Sequence, residues 1–342
     1  MFRKIILSIV FLAVVLSTQS QDINFSQFYE LPLLRNPALG GIFRGDIRAA
    51  GAFRTQWITA AGVPYRTQAL GIELKSGVSE SNYDYKVFGI QITNDQAGDS
   101  KMGKTQILPS FTFHKSLSDE KDSYLSIGAI GGAVQQRYDP TGLKWDDQFV
   151  NGEYSETNPT QQPFARTNVT YWDYSMGLLY SGEFGRDIRY YLGAACFHIF
   201  RPKVAFNADN NIRLNRKFIF NGGLSAPTGP YDRVILYADV FMQGGNRQAQ
   251  GGFMYKHDVV EAEDDETLSI AAGSFLRWGD AIIPVVKFDL YKVGIGLTYD
   301  INISKLSAAS KMRGGFEVTL SYRDFLNIRN SSSQKLRCPV SL

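Results

Sequence analysis

Apolar and polar residues alternate one by one in stretch after stretch of this chain. Between Gly315 and Tyr322, the residues Phe316, Val318, Leu320 and Tyr322 share one parity while Glu317, Thr319 and Ser321 share the other. A period of two places these sets on opposite faces of a β-strand. The pattern predicts strands over 46–58, 67–76, 84–94, 104–115, 122–137, 171–183, 188–200, 216–226, 232–243, 248–257, 266–277, 281–288, 291–302 and 313–323. Most of these about fourteen strands run to ten or more residues, against ~5 to 6 in globular proteins and ~9 to 11 for a tilted strand that crosses a bilayer.

Charges respect the same alternation. Leu70, Ile72 and Leu74 leave Glu73 and Lys75 on the other face; Val234, Leu236, Ala238 and Val240 do so to Asp239; Val293, Ile295, Leu297, Tyr299 and Ile301 do so to Lys292 and Asp300. A Lys or Arg facing lipid at mid-bilayer costs about 2 to 4 kcal/mol, so this sorting suits a transmembrane barrel with its charges in the lumen. A soluble sandwich also alternates, and strand length is what favours the barrel. Fourteen strands make a barrel too wide to be filled by its own side chains, so its lumen needs water or a plug. Gly89, Gly294 and Gly296 fall at lumen parity, where backbone or a loop can approach closely.

The connections give a second argument. If residues 21–45 start in the periplasm, the two longest loops, 138–170 and 201–215, are the fifth and seventh and both lie outside, while inner turns such as Phe184 to Asp187 and Pro227 to Asp232 are short. Residues 22–45 lack a lasting period of two, carry Pro32 and Pro37 and end in Gly40-Gly41, which predicts an irregular, turn-rich segment. Three aromatics in five residues, Phe25, Phe28 and Tyr29, favour packing in or under the barrel mouth over an exposed linker.

The ends suggest export. Arg3 and Lys4, the apolar run Ile5 to Leu16 and Thr18-Gln19-Ser20 have the order of a signal peptide over 1–20. The expected organisation is then a segment 21–45, a barrel 46–323 and a periplasmic tail 324–342. Aromatic residues at 13%, with 18 Tyr and 23 Phe, suit interfacial girdles, and 32 Gly suit turns and crowded lumen positions. The net charge of +3 in 342 residues, with both signs interspersed, implies no nucleic-acid partner. Cys196 and Cys338 are either a disulfide or, the favoured reading, a buried thiol and a tail thiol.

Catalytic signatures are weak. His114, His198 and His257 each stand near the end of a different predicted strand, without HExxH, G-x-S-x-G or paired Cys ligands, and interfacial or structural roles are favoured over a hydrolase site. The acidic run from Asp258 to Glu266 lacks the spacing of an EF-hand loop; a solvated turn is favoured over a calcium site, with docking of a basic partner as a third use. Trp145, Asp146 and Asp147 are candidate partner-binding residues in the long outer loop, where the plainer role for the Trp is to pin the loop to the rim. Asn168-Val169-Thr170 matches a glycosylation acceptor but carries little weight. No catalytic, metal or cofactor site is predicted.

Several segments are more distinctive than the alternation. Asn24-Phe25-Ser26-Gln27-Phe28-Tyr29, Asn36-Pro37-Ala38-Leu39-Gly40-Gly41 and Arg54-Thr55-Gln56-Trp57 are followed by Asn94-Asp95-Gln96-Ala97-Gly98, Leu125-Ser126-Ile127-Gly128, Tyr299-Asp300-Ile301-Asn302, Gly315 to Tyr322 and Cys338-Pro339. In order and spacing they resemble the PorP/SprF family of type IX secretion system membrane proteins of Bacteroidetes-type bacteria, across essentially the whole chain beyond the export signal. The tail departs from the family pattern, with Val340-Ser341-Leu342 where a basic and an aromatic residue usually follow Cys-Pro.

The resemblance implies a non-enzymatic outer-membrane component of the type IX system, without a cofactor, that supports secretion or surface attachment of large proteins carrying a type IX sorting domain, such as gliding adhesins. Implied partners are that client, periplasmic components tied to peptidoglycan, and outer-membrane lipid. A general porin or solute transporter is the alternative. The motif residues expected to matter are Phe25, Ser26, Gln27, Asn36, Pro37, Ala38, Arg54, Gln56, Trp57, Gly315, Glu317 and Tyr322.

Overall fold

The computed structural model describes residues 22–57, 63–78, 83–118, 122–141, 143–150, 152–155, 157–158, 160, 166–185, 187–206, 211–260, 268–304, 313–326 and 331. The segment 1–20, Cys338, most of the tail after 324 and the end of the acidic run lie outside them.

Fourteen strands form one closed antiparallel barrel. They are β1 (Ile47–Gln56), β2 (Tyr65–Gly77), β3 (Tyr85–Ala97), β4 (Met102–Ser116), β5 (Tyr124–Arg137), β6 (Asn168–Phe184), β7 (Ile188–Phe197), β8 (Lys217–Pro227), β9 (Asp232–Gln243), β10 (Asn246–Val260), β11 (Leu268–Arg277), β12 (Ala281–Leu290), β13 (Val293–Asn302) and β14 (Arg313–Asp324). Each pairs with its neighbours in sequence. β14 closes on β1 in unbroken register from Ile47 opposite Asp324 to Gln56 opposite Gly315. Closure leaves no sheet edge, which is what a spanning sheet needs where no water can satisfy its backbone. Among the described residues no helix is long and apolar enough to cross a membrane.

The alternation predicts the wall faces. In β14, Leu320 is 57% exposed on the outside while Thr319, its neighbour, is 2% exposed in the lumen. Glu73, Lys75, Asp239 and Asp300 all point inward and are buried. Two expectations need correction. Lys292 is not in a strand: it stands in the two-residue turn before β13, where its ammonium pairs with Asp324 at 3.0 Å. Asn168-Val169-Thr170 is not loop but the start of β6, because pairing with Gln135 to Arg137 continues to the rim.

The core lies inside the barrel and is built on residues 22–46. Phe28 and Tyr29 pack with Ile235, Met254, Phe275 and Ile283. Phe25 and Leu31 pack on Ala50, Ala52 and Ala69, and Leu33 on Leu108, Ile130, Val134 and Tyr171. Ala38, Leu39 and Ile42 meet Leu179 and Tyr191. The segment is a chain of three short 3-10 turns, Phe28–Glu30, Pro32–Leu34 and Pro37–Leu39. Prolines at the first position of the second and third turns fix φ where no N–H partner is needed.

Candidate functional site

The segment enters at the rim that carries the long loops and leaves at the opposite rim. Asp22 lies between Lys104, His198 and Lys217, all at the long-loop end, whereas the backbone carbonyl of Asp46 accepts from Lys75 N–H at the other end. Asp46 also accepts hydrogen bonds from Leu326 N–H and the Ser331 hydroxyl, so both of these residues lie at this exit.

Between these ends four of the distinctive motifs converge. Glu317 accepts from the backbone N–H groups of Ser26 and Gln27, both at 2.7 Å. Asp300 accepts from the Ser26 hydroxyl at 2.5 Å and from Arg54 at 2.6 Å. Arg277 joins them, 3.2 Å from Asp300 and 3.0 Å from the Ser26 hydroxyl. Thr319 donates to the Gln27 side chain at 2.8 Å. All these groups are buried. A carboxylate that accepts two backbone N–H groups grips the main chain itself, whatever side chains it carries.

Deeper in the lumen, Arg35 donates two hydrogen bonds to Asp239, at 2.8 and 2.6 Å. Its guanidinium also lies over the rings of Phe28 and Tyr237, 4.8 and 5.6 Å from their centroids. Asn36 caps the third turn through Ala38 N–H at 2.8 Å, and its amide donates to Leu178 O at 3.1 Å and to Asn221 at 3.3 Å. Gly128 and Gly177 provide the space for this turn: a Cβ at the first would collide with the Pro37 backbone and at the second with the Asn36 side chain. Gly296 similarly admits Gln27, and Gly89 faces Leu33, whereas Gly294 meets only wall side chains. Gly128→Val is therefore expected to unseat the Pro37–Leu39 turn, seen as new protease cleavage within 30–45 in the folded barrel.

The histidines hold structure. His114 contacts Ser126 Oγ at 2.6 Å and Gly40 O at 2.7 Å, and both side chains are fully buried beneath the segment. With its second nitrogen engaged by a carbonyl and no open side, this Ser-His contact offers a substrate no approach. His257 pairs with Asp232 on the surface at 2.7 Å. His198 lies between Asp22 and Asp173, at 2.6 and 2.7 Å.

Burial alone would lower the His198 pKa, but the two carboxylates outweigh it and hold it at about 8. For Asp22, burial would raise the pKa, but Lys104, His198 and Lys217 together hold it well below the usual range. The histidine contribution is thus complete below its ordinary 6.5 and is lost as pH rises through about 8. The Asp22 contribution is complete above its ordinary 3.8 and fades only in acid. The protection of residues 22–25 against hydrogen exchange, taken relative to the intrinsic rate at each pH, is expected to be greatest between these limits and to fall toward pH 9. His198→Gln should remove the alkaline step; an unchanged step would assign it to another group.

Of the motif residues, Ser26, Gln27, Arg54 and Glu317 meet in the lumen, while Phe25 packs beside them on Ala50, Ala52 and Ala69 and Asn36, Pro37 and Ala38 lie in the lumen against other strands. Gln56 and Gly315 pair across the closing seam, and Trp57 follows in a left-handed turn with φ of 60°. Tyr322 points outward and donates to Asp324 at 2.6 Å. Trp145, Asp146 and Asp147 stay in the long loop, in a turn where Asp147 O accepts from Asn158 at 2.6 Å and Asp147 Oδ2 from Thr160 at 2.9 Å. Asp239, which the alternation marked only as an inward charge, and Arg277 and Lys287, which the sequence did not single out, bond to the segment, Lys287 reaching Glu30 at 2.5 Å. The acidic run begins inside β10, where Asp258 pairs with Lys256 at 3.1 Å. Cys196 sits half-buried on the outward parity of β7.

A closed, lipid-faced barrel filled by its own amino-terminal segment defines an outer-membrane β-barrel protein. Solved structures of similar architecture include the Ralstonia pickettii toluene transporter TbuX, at 10% identity over 86% of this chain and 92% of that one with a TM-score of 0.46. The CymD monoaromatic hydrocarbon channel gives 10% identity, 87% and 94% coverage and 0.46. BamA from Haemophilus ducreyi lacking POTRA domains 1–3 gives 6%, 82% and 70%, and 0.40. No curated protein sequence matches the chain. The chain belongs to the PorP/SprF family of type IX secretion system membrane proteins, whose family model matches residues 17–322. It is thus an outer-membrane component of that secretion system.

Proposed function

We propose that this barrel is a closed platform that holds a large secreted surface protein at the membrane, and that the client does not pass through its lumen. The observation that carries this reading is that residues 22–46 reach every wall strand. They touch β1 and β2 through Arg48 and Glu73, approach β3 at Gly89, and meet β4 to β7 at Thr112, Gly128, Leu178 and Ala194. They meet β8 to β14 at Asn221, Asp239, Gln250, Arg277, Lys287, Asp300 and Glu317. A porin needs a continuous polar lumen, and here Asp239, Arg277, Lys287, Asp300 and Glu317 of the wall are bonded to the segment.

Recognition then falls to the loops, which a rigid barrel presents without itself changing shape. The long loop with Trp145, Asp146 and Asp147 and the loop 198–216 are the client-facing candidates, with a gliding-type adhesin as the client class that the family suggests. The opposite rim, where Leu326 and Ser331 meet Asp46, is the surface for periplasmic, peptidoglycan-tied components. The outer-membrane orientation with the long loops outside is part of the same reading. Exchanging loops 138–167 and 198–216 for those of a paralogue should transfer the client, measured by surface display of each candidate client. Exchange without any change of client rejects the assignment.

A further inference from the structure

The connection between β7 and β8 is a built flap rather than a tether. Lys203 and Arg213 form a β-bridge, with Val204 N–H donating to Ile212 O and Leu214 N–H to Pro202 O, each at 3.0 Å. Val204 packs on the Leu33 and Leu108 cluster, and Phe206 meets Tyr138 with ring centroids 4.8 Å apart. One side of the flap therefore covers the filled lumen.

Its other side points at lipid. Phe200 is 71% exposed and sets its ring edge-on against Tyr174, 5.6 Å between centroids. Tyr174 has outward parity on β6, beside Trp172, which is 64% exposed. Phe218 starts the outward row of β8 next to them. Aromatic rings at the end of a spanning strand mark the headgroup level.

Cations flank this aromatic group. Arg201 follows Phe200 in the chain and reaches Asn215 at 3.4 Å, and Arg216 Nε donates to Ile199 O, just before Phe200, at 3.0 Å. Lys203 and Arg213, both exposed, follow along the bridge. The connection 198–216 carries these four cations against a single carboxylate, Asp209. Among the described residues none of these four cations has an ion-pair partner. Guanidinium forks match phosphate oxygens, and fixed cations at headgroup depth attract anionic lipid.

We propose that this flap binds the phosphate-bearing headgroup of a lipid in the leaflet at the long-loop end, with Arg201 and Arg216 on the phosphate and the acyl chains along Phe200, Tyr174 and Trp172. An acidic polypeptide would satisfy the cations but would leave the lipid-facing Phe200 unexplained.

The full chain, purified in mild detergent, is titrated with a bisphosphorylated glycolipid and with its dephosphorylated counterpart and read by native mass spectrometry. The phosphorylated lipid should be retained at least ten-fold better, with the preference falling as salt rises. Replacing Arg201, Lys203, Arg213 and Arg216 by Gln should abolish the preference, while Lys at the three Arg positions should keep most of it. Equal retention of the two lipids, with or without binding of an added acidic polypeptide, overturns the proposal. So does a preference that survives the Gln variant, or one that the Lys variant loses as fully, since charge would then not be what binds.

Discussion

A chain lacking residues 22–41 is expected to conduct ions steadily across a planar bilayer, where the intact chain does not. The deletion removes the groups that fill the barrel: Glu317 and Asp300 lose Ser26 and Gln27 and keep only the wall cations Arg54 and Arg277, and Asp239 loses Arg35. Water must enter to solvate them, and a water-filled barrel of this width is a pore. Stability should fall as well. Phe25, Phe28, Leu31, Leu33 and Leu39 lose their burial, at about 1.5 to 3 kcal/mol for each large apolar side chain. The sum, roughly 8 to 15 kcal/mol, is an upper bound, since an unfolded chain already hides part of that surface. Urea unfolding in detergent measures this loss, and current traces measure the opening. If deletion left the conductance as low as before, the segment would not be what closes the lumen, and the platform reading would lose its main support.

The wall of this barrel could be read from sequence because lipid imposes one rule on every strand. Outward residues must be apolar over ten positions, so Val234 to Val240 and Phe316 to Tyr322 announce both their strand and its two faces. The filling obeyed no such rule. The 3-10 turns of 28–39 have no sustained period, and their partners lie far along the chain: Arg35 and Asp239 are 204 residues apart. Nothing in the alternation distinguishes an inward Asp that meets water from one that meets a buried Arg. The aromatic content was similarly ambiguous. Part of it, such as Trp172 and Tyr322, does face lipid, but Phe28, Tyr29, Tyr237 and Phe275 form the packed interior instead. The distinctive motifs held more than the periodicity did, since Ser26, Arg54, Asp300 and Glu317 come from separate motifs and meet at one point. What they hold in common is the path of the segment, not a reaction.

The Arg35 and Asp239 pair tests how that path is fixed. Both side chains are buried, with the carboxylate bonded twice and the guanidinium covered by Phe28 and Tyr237. Arg35→Met leaves Asp239 buried without its cation, and Asp239→Leu leaves the guanidinium without its anion; each single change is expected to cost about 3 to 5 kcal/mol. The double variant Arg35→Met with Asp239→Leu removes both charges and keeps apolar bulk, so it should recover most of the loss. Unfolding in urea gives all four corners of the cycle, and a coupling of several kcal/mol is the expected result. Additive losses would mean that water already reaches the pair and that its charges are not confined by the segment. Conductance separates stability from register. The Arg35→Met variant should show brief openings, because residues 34–36 join the second turn to the third and an unpaired Asp239 draws water to that joint. The double variant should stay closed, because an apolar contact at the same place still seats the turn while the Glu317 grip on Ser26 and Gln27 holds the segment at its long-loop end.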